Sequence, residues 1–221
     1  MCPNSRYIVF MWLVALGSFL IGSIPFGWII GKLFYKKDIR NEGSGNIGAT
    51  NALRSYGAGA GILVLFLDAA KGFVVTYAAL VFWQWEYLTL LAGLMVIMGH
   101  MHSAFLGFKG GKGVATAVGV FLVFAPMPFL IVLPLFVLSV LITRYVSFSS
   151  LLAAIGILVV AVVDYRFQPG IALLKSRYSS CEYICVVALI VALIIFKHLP
   201  NLKRLYQGTE NRFGSSKKDI T

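Results

Sequence analysis

Six long apolar runs, at residues 7–31, 57–83, 88–108, 114–143, 148–164 and 183–196, leave this chain little room for a water-soluble fold. Spanning a hydrocarbon core of roughly 30 Å takes about 20 apolar residues in a helix, which satisfies its own backbone hydrogen bonds. A closed barrel would instead show short alternating segments, and none is present. The composition, 59% hydrophobic and 12% charged, lies well outside that of soluble domains. The chain therefore reads as an all-α, polytopic membrane protein. Only Arg6 precedes the first run as a cation, and no small-residue cleavage pattern is suitably placed, so a retained helix is expected rather than a removed signal peptide. Cys2, Cys181 and Cys185 form an odd set without metal-ligand spacing and are read as small apolar residues.

The run 114–143 is long for one crossing and short for two. Ala125-Pro126-Met127-Pro128 interrupts it where a tight turn would sit, because proline disfavours a continuing helix. Splitting it there predicts a seven-transmembrane helix bundle. With the N-terminus outside, 14 of the 19 basic residues then fall inside: Lys32, Lys36, Lys37, Arg40, Arg54, Lys109, Lys112, Arg144, Lys197, Lys203, Arg204, Arg212, Lys217 and Lys218. Arg6, Arg166, Lys175 and Arg177 remain outside and Lys71 lies within a span. Counting the split run as one crossing would scatter the basic loops over both faces, so the positive-inside bias favours seven spans and a cytoplasmic C-terminus. The expected organisation is a single membrane-embedded domain, 1–221, with cytoplasmic loops at about 32–56, 103–113, 144–150 and 197–221. The net charge of +11 is met by anionic membrane lipids, above all along Lys203 to Lys218. The basic residues flank helices rather than line one exposed element, so nucleic acid is not an expected partner.

Three inside loops carry chemistry. The first, 41–54, contains Gly43-Ser44-Gly45-Asn46-Ile47-Gly48. No strand precedes this G-x-G-x-x-G and no βαβ unit surrounds it, which argues against a dinucleotide fold. Its glycines would still let backbone amides approach an anion, with Ser44, Asn46, Thr50 and Arg54 as donors; the alternative is a flexible polar loop. The second, Phe108-Lys109-Gly110-Gly111-Lys112-Gly113-Val114-Ala115-Thr116, leads into a span. Helix N-terminal amides carry partial positive charge, so Gly-Gly-Lys-Gly there is a natural phosphate cradle to which Lys112 adds a full charge. It is not a Walker A loop, since glycine follows Lys112; the alternative is a turn with positive-inside lysines. The third, 197–210, begins Lys197-His198-Leu199-Pro200-Asn201. His198 by itself reads as an interfacial anchor, and with Asn201 and Glu210 as a group that binds an anion or moves a proton. Within the second run, Asp68 and Lys71 stand three residues apart on one helix face and read as a structural ion pair; the alternative is a role in the substrate site. His100 and His102 read as packing histidines.

Taken together, Gly43-Ser44-Gly45-Asn46 through Arg54, Gly99-His100 with Phe108 to Thr116, and Lys197-His198 with Asn201 through Glu210 resemble the acyl-phosphate:glycerol-3-phosphate acyltransferase family. Leu67-Asp68-Ala69-Ala70-Lys71-Gly72 and Arg144-Tyr145-Val146-Ser147-Phe148-Ser149-Ser150 extend the match over nearly the whole chain. The chain departs from it at His102-Ser103, where the family has an aromatic residue and proline, and at Leu199-Pro200. The resemblance implies a seven-helix bacterial inner-membrane enzyme, active on the cytoplasmic face. It would transfer an acyl group from acyl phosphate to the 1-hydroxyl of glycerol 3-phosphate, releasing phosphate and lysophosphatidic acid, with no metal or cofactor. No H-x-x-x-x-D motif of thioester-using acyltransferases follows His100 or His102, whose fifth successors are Phe105 and Gly107. It further implies that Gly110, Gly111, Lys112 and Gly113 hold the donor phosphate, aided by Ser147 and Ser150. Ser44, Arg54, Lys112, His198 and Asn201 would bind glycerol 3-phosphate, with Glu210 orienting them. Lys112, His198 and Arg54 are the expected catalytic groups. The proton of the attacking hydroxyl goes to His198 or, by preference here, to a substrate phosphate, since both titrate near neutrality, at about 6.5 and about 6. A transporter of a phosphorylated solute is the rival class, because charges within a span can line a path.

Overall fold

The computed structural model describes residues 5–167 and 174–214. Cys2, Lys217 and Lys218 lie outside them, as does the side chain of Arg6. Every regular element among the described residues is helical: α1 (Ser5–Gly22), α2 (Phe26–Phe34), α3 (Ala49–Tyr56), α4 (Ala58–Trp83), α5 (Glu86–Met101), α6 (Val114–Phe124), α7 (Pro126–Thr143), α8 (Val146–Phe167) and α9 (Cys181–Tyr206), with single 3-10 turns at Ile39–Asn41 and Ala104–Leu106. Large apolar side chains such as Trp12, Phe66, Leu141 and Ile142 stand exposed along these helices. In water they would form an aggregating surface, whereas hydrocarbon solvates them at no cost. This is an integral membrane protein.

Among the described residues, six stretches are long and apolar enough to cross a bilayer: Tyr7–Phe34, Ala58–Trp83, Glu86–Leu106, Pro126–Thr143, Val146–Phe167 and Cys181–Tyr206. The break expected near Pro126 is present. α6 ends at Phe124, Ala125 departs from helical geometry (φ −146°, ψ 63°), and Pro126 opens α7, where its missing N–H removes no helical bond. What hydropathy overstates is the length on the near side of that break. With 11 residues, α6 rises about 16 Å, roughly half a hydrocarbon core.

The chain divides after Phe124 into two compact units. In the first, α4 and α5 are joined across Gln84 and Trp85, α1 packs along α5, and α6 packs along α4. The α4–α6 contact is backbone to backbone, because a Cβ at Gly119 would strike the Ala69 carbonyl; small residues are what allow helices to associate in lipid. The antiparallel α4–α5 hairpin puts the residues before α4 and those after α5 at one end of this unit. An apolar cluster of Ile30, Ile39, Ile47, Ala52, Ala60, Val64 and Leu106 seals that end. In the second unit α8 packs between α7 and α9. The segment after α9 returns to the start of α8, where the Phe213 amide donates to the Arg144 carbonyl at 2.6 Å.

Candidate active site

In the first unit, the glycine-rich loop before α3 is a built structure rather than a flexible one. Its hub is Asn51, 2% exposed. The Asn51 Oδ1 accepts from the Ser44 amide at 2.8 Å, while Nδ2 donates to the carbonyls of Asn46 (2.8 Å), Glu42 (2.9 Å) and Ile39 (3.2 Å). Asn46 Oδ1 in turn accepts from the Gly48 amide at 2.8 Å. At the loop's entry, Asp38 accepts from Trp28 Nε1 and from both Nε and Nη2 of Arg40. The Arg40 hydrogen bonds hold the Asp38 carboxyl well below the usual carboxylate range. The result is an exposed Ser44 on a rigid turn, with the half-buried Arg54 one helical turn beyond Asn51 on α3.

At the same end of this unit, residues 107–113 form the second loop. Gly107, Phe108 and Gly113 all have positive φ, and Phe108, exposed, adopts φ 62° without the steric freedom of glycine. Gly111 donates its amide to the His100 carbonyl at 3.0 Å. Its Cα lies so close to the His100 ring that a Cβ would strike Nε2. Lys112, half-buried, follows, and α6 begins at Val114. Loop amides, a helix N-terminus and a lysine thus succeed one another within a few residues, an arrangement suited to an anion.

Beneath this loop, three ionisable side chains meet among the spans. Lys71 Nζ lies 2.8 Å from Asp68 Oδ1 and 2.9 Å from His100 Nδ1, and donates to the Ile24 carbonyl at 2.8 Å. Asp68, Lys71 and His100 are 1%, 5% and 4% exposed. The ion pair expected between Asp68 and Lys71 is present, but His100 belongs to it rather than merely filling space. Ser103, at the departure from the family pattern, is wholly buried and donates to the Ser23 carbonyl at 2.5 Å, tying the break after α1 to the end of α5.

In the second unit the remaining expected residues gather at one end. Glu210 Oε1 accepts from Ser147 Oγ (2.8 Å) and Asn201 Nδ2 (2.6 Å), and Oε2 from Arg204 Nε (2.7 Å). Burial opposes ionisation of Glu210, but these hydrogen bonds from Asn201, Ser147 and Arg204 outweigh it and keep the carboxyl below its ordinary value. Because an ionised carboxylate only accepts, it also fixes the Asn201 amide with Nδ2 inward. Asn201 Oδ1 is consequently buried with no hydrogen-bond partner among the described residues, an acceptor awaiting a donor. His198, on the preceding turn and 2% exposed, lies with Nδ1 2.8 Å from the Ile194 carbonyl, which assigns the proton to Nδ1 and the lone pair of the neutral ring to Nε2. Arg212 stacks over Tyr145.

Residues 12–208 match the family model described as glycerol-3-phosphate acyltransferase. The chain belongs to that family. Among relatives of this acyltransferase, the glycerol-3-phosphate acyltransferase 2 of Bacillus anthracis is 43% identical over 195 residues, covering 88% of this chain and 95% of the relative. The glycerol-3-phosphate acyltransferase of Chlorobium phaeobacteroides is 42% identical over 218 residues, covering 88% and 93%. Two crystal structures of PlsY, an integral membrane glycerol 3-phosphate acyltransferase, share its fold at 37% identity. The glycerol 3-phosphate form gives a TM-score of 0.82 over 96% of this chain and 99% of that one, and the lysophosphatidic acid form 0.77 over 92% and 95%.

Several side chains expected in the acyltransferase site are held by hydrogen bonds within the protein. Ser147 donates to Glu210 and Ser150 to the Val146 carbonyl, each at 2.8 Å. Glu210 accepts from three protein donors and so holds the Asn201 and Arg204 side chains in place. Asn51 and the His100 link escaped sequence reasoning. Asn51 is one of several polar residues on a short helix, and its only signal is that glycines with turn-forming neighbours lie at a spacing an amide can bridge.

Proposed function

We propose that this acyltransferase moves an acyl group from acyl phosphate to the 1-hydroxyl of glycerol 3-phosphate, yielding lysophosphatidic acid and phosphate, the first acylation of phospholipid synthesis. The observation that carries this reading is the Gly110–Gly113 loop, with Lys112, standing at the same end of its unit as the Ser44 and Arg54 loop. Two anion-binding elements suit a reaction in which both substrates are phosphorylated. The PlsY structures, solved in glycerol 3-phosphate and lysophosphatidic acid forms, support the acceptor and the product. An acyl phosphate is already an activated anhydride, so no covalent acyl-enzyme is required.

In this reading Gly110, Gly111, Lys112 and Gly113 hold the donor phosphate, and Arg54 grips the acceptor phosphate bidentately. Ser44 and Lys112 also bind the acceptor on the first unit, and His198 and Asn201 are the acceptor-binding groups of the second. The buried Asn201 Oδ1 suits a glycerol hydroxyl, which donates, and not a phosphate. The hydroxyl oxygen attacks the acyl carbonyl carbon, the bond from that carbon to the phosphate oxygen breaks, and inorganic phosphate leaves with its electron pair. A substrate phosphate oxygen takes the hydroxyl proton. Proximity and neutralisation of two mutually repelling phosphates each supply several kcal/mol, on the order found for such effects.

The proposed topology keeps seven crossings in a bacterial inner membrane, α6 counting as one despite its length, with motif loops and C-terminus cytoplasmic and the N-terminus outside. Purified protein in detergent, given acyl phosphate and glycerol 3-phosphate, is expected to release phosphate and an acylated product. A transporter of phosphorylated solutes would do nothing without sealed vesicles, and that outcome would refute the enzyme reading.

A further inference from the structure

The Asp68–Lys71–His100 cluster does more than join helices. A buried ion pair is weak grounds for stability, since well-packed apolar residues of the same volume often serve as well. What an apolar pair cannot do is set the proton position on a histidine. A lysine ammonium only donates: Lys71 gives a proton to the Ile24 carbonyl and stands 2.9 Å from His100 Nδ1, with Asp68 Oδ1 at 2.8 Å as its counter-ion. His100 Nδ1 is therefore a lone pair, which puts the ring proton on Nε2. Asp68 Oδ1 lies 3.4 Å from the same Nδ1 and balances the ammonium, and the Phe26 ring covers Lys71 at 5.5 Å from its centroid. Nε2 is the atom lying against Gly111, whose amide is pinned to the His100 carbonyl at 3.0 Å.

We propose that Asp68 and Lys71 hold His100 in the tautomer that presents an N–H, never a lone pair, to the Gly110–Gly113 loop, so that His100 is a positioning residue for the phosphate-binding backbone. The inference rests on the reading of this loop as the donor-phosphate cradle. A lone pair beneath the loop would repel a phosphate held above it; an N–H attracts it. It also accounts for glycine at position 111, since a side chain there would push the ring away.

The test compares wild type with His100→Gln and His100→Phe, each purified in detergent, by thermal unfolding and by KM for each substrate. Glutamine can place an amide N–H near the position of Nε2, whereas phenylalanine fills the volume without a donor. Phenylalanine is expected to raise KM for acyl phosphate by about tenfold while KM for glycerol 3-phosphate stays within about twofold, and glutamine to recover most of the loss. Equal losses in both variants, a parallel rise of both KM values, or lowered thermal stability with unchanged kinetics would each overturn the positioning role. Should His100→Phe fail to fold, Asp68→Asn combined with Lys71→Met removes the tautomer lock and keeps a neutral pair; it must show the same selective rise, and unchanged KM values would refute the proposal. A wild-type protein unable to use acyl phosphate would refute the reading of the loop itself. An active wild type with unaffected variants would refute only the role of His100.

Discussion

Replacing Asn51 by aspartate, nearly the same shape, separates packing from hydrogen bonding in the glycine-rich loop. The change keeps the acceptor for the Ser44 amide but removes the donors that bridge Asn46, Glu42 and Ile39, and turns a carboxylate toward three carbonyl oxygens. Two amide protons shared among three acceptors amount to two full bonds, each contributing about 0.5–1.5 kcal/mol net, and the repulsion and stranded buried carbonyls add about 1–3 kcal/mol. A loss of roughly 3 kcal/mol follows, which opens the loop on the order of a hundredfold more often. Hydrogen exchange of the amides of residues 43–48 should accelerate by that order, with KM for glycerol 3-phosphate rising and α4 protection unchanged. Asn51→Ala should be milder, because it removes the bonds without adding a charge. If the Asn51→Asp and wild-type loops exchanged alike, or alanine proved the worse substitution, donation by Nδ2 would not be what folds this loop.

Four other outcomes can be checked. Lys112→Ala should abolish activity with normal membrane insertion; retention of more than about a tenth of kcat/KM would mean that less than about 1.4 kcal/mol depended on that charge. His198→Ala should impair glycerol 3-phosphate binding more than the chemical step, and a large loss of single-turnover rate at saturating substrate would make His198 the general base instead. The Glu210 carboxyl is held below its ordinary value, so the stability it contributes is complete above the normal glutamate range and is lost as pH falls through the depressed value. Tryptic cleavage at Arg212 should therefore rise on acidification, a response Glu210→Gln should flatten. With Cys2, Cys181 and Cys185 replaced by serine, cysteines introduced at the exposed Ser44 and Lys109 should be labelled from the same side of the membrane; labelling from opposite sides would dismantle the proposed site.

Much of this molecule is written locally. Apolar run length sets the spans, and Pro126, lacking an N–H, ends one helix and begins another whatever surrounds it. Gly-Gly-Lys-Gly before an apolar run announces an anion site because loop amides and a helix N-terminus need no distant partner. Other features exist only once the chain has folded. That α6 is 11 residues long, that Asn51 gathers a loop from as far as Ile39, that His100 meets a lysine 29 positions earlier, and that Glu210 clamps Ser147 across 63 positions are facts of tertiary contact. Hydropathy averages a window and cannot see which carbonyl faces a side chain. A buried polar group must find its partners wherever packing delivers them, and in this protein packing, rather than spacing, turned a lone histidine and an unremarked asparagine into the supports of two loops.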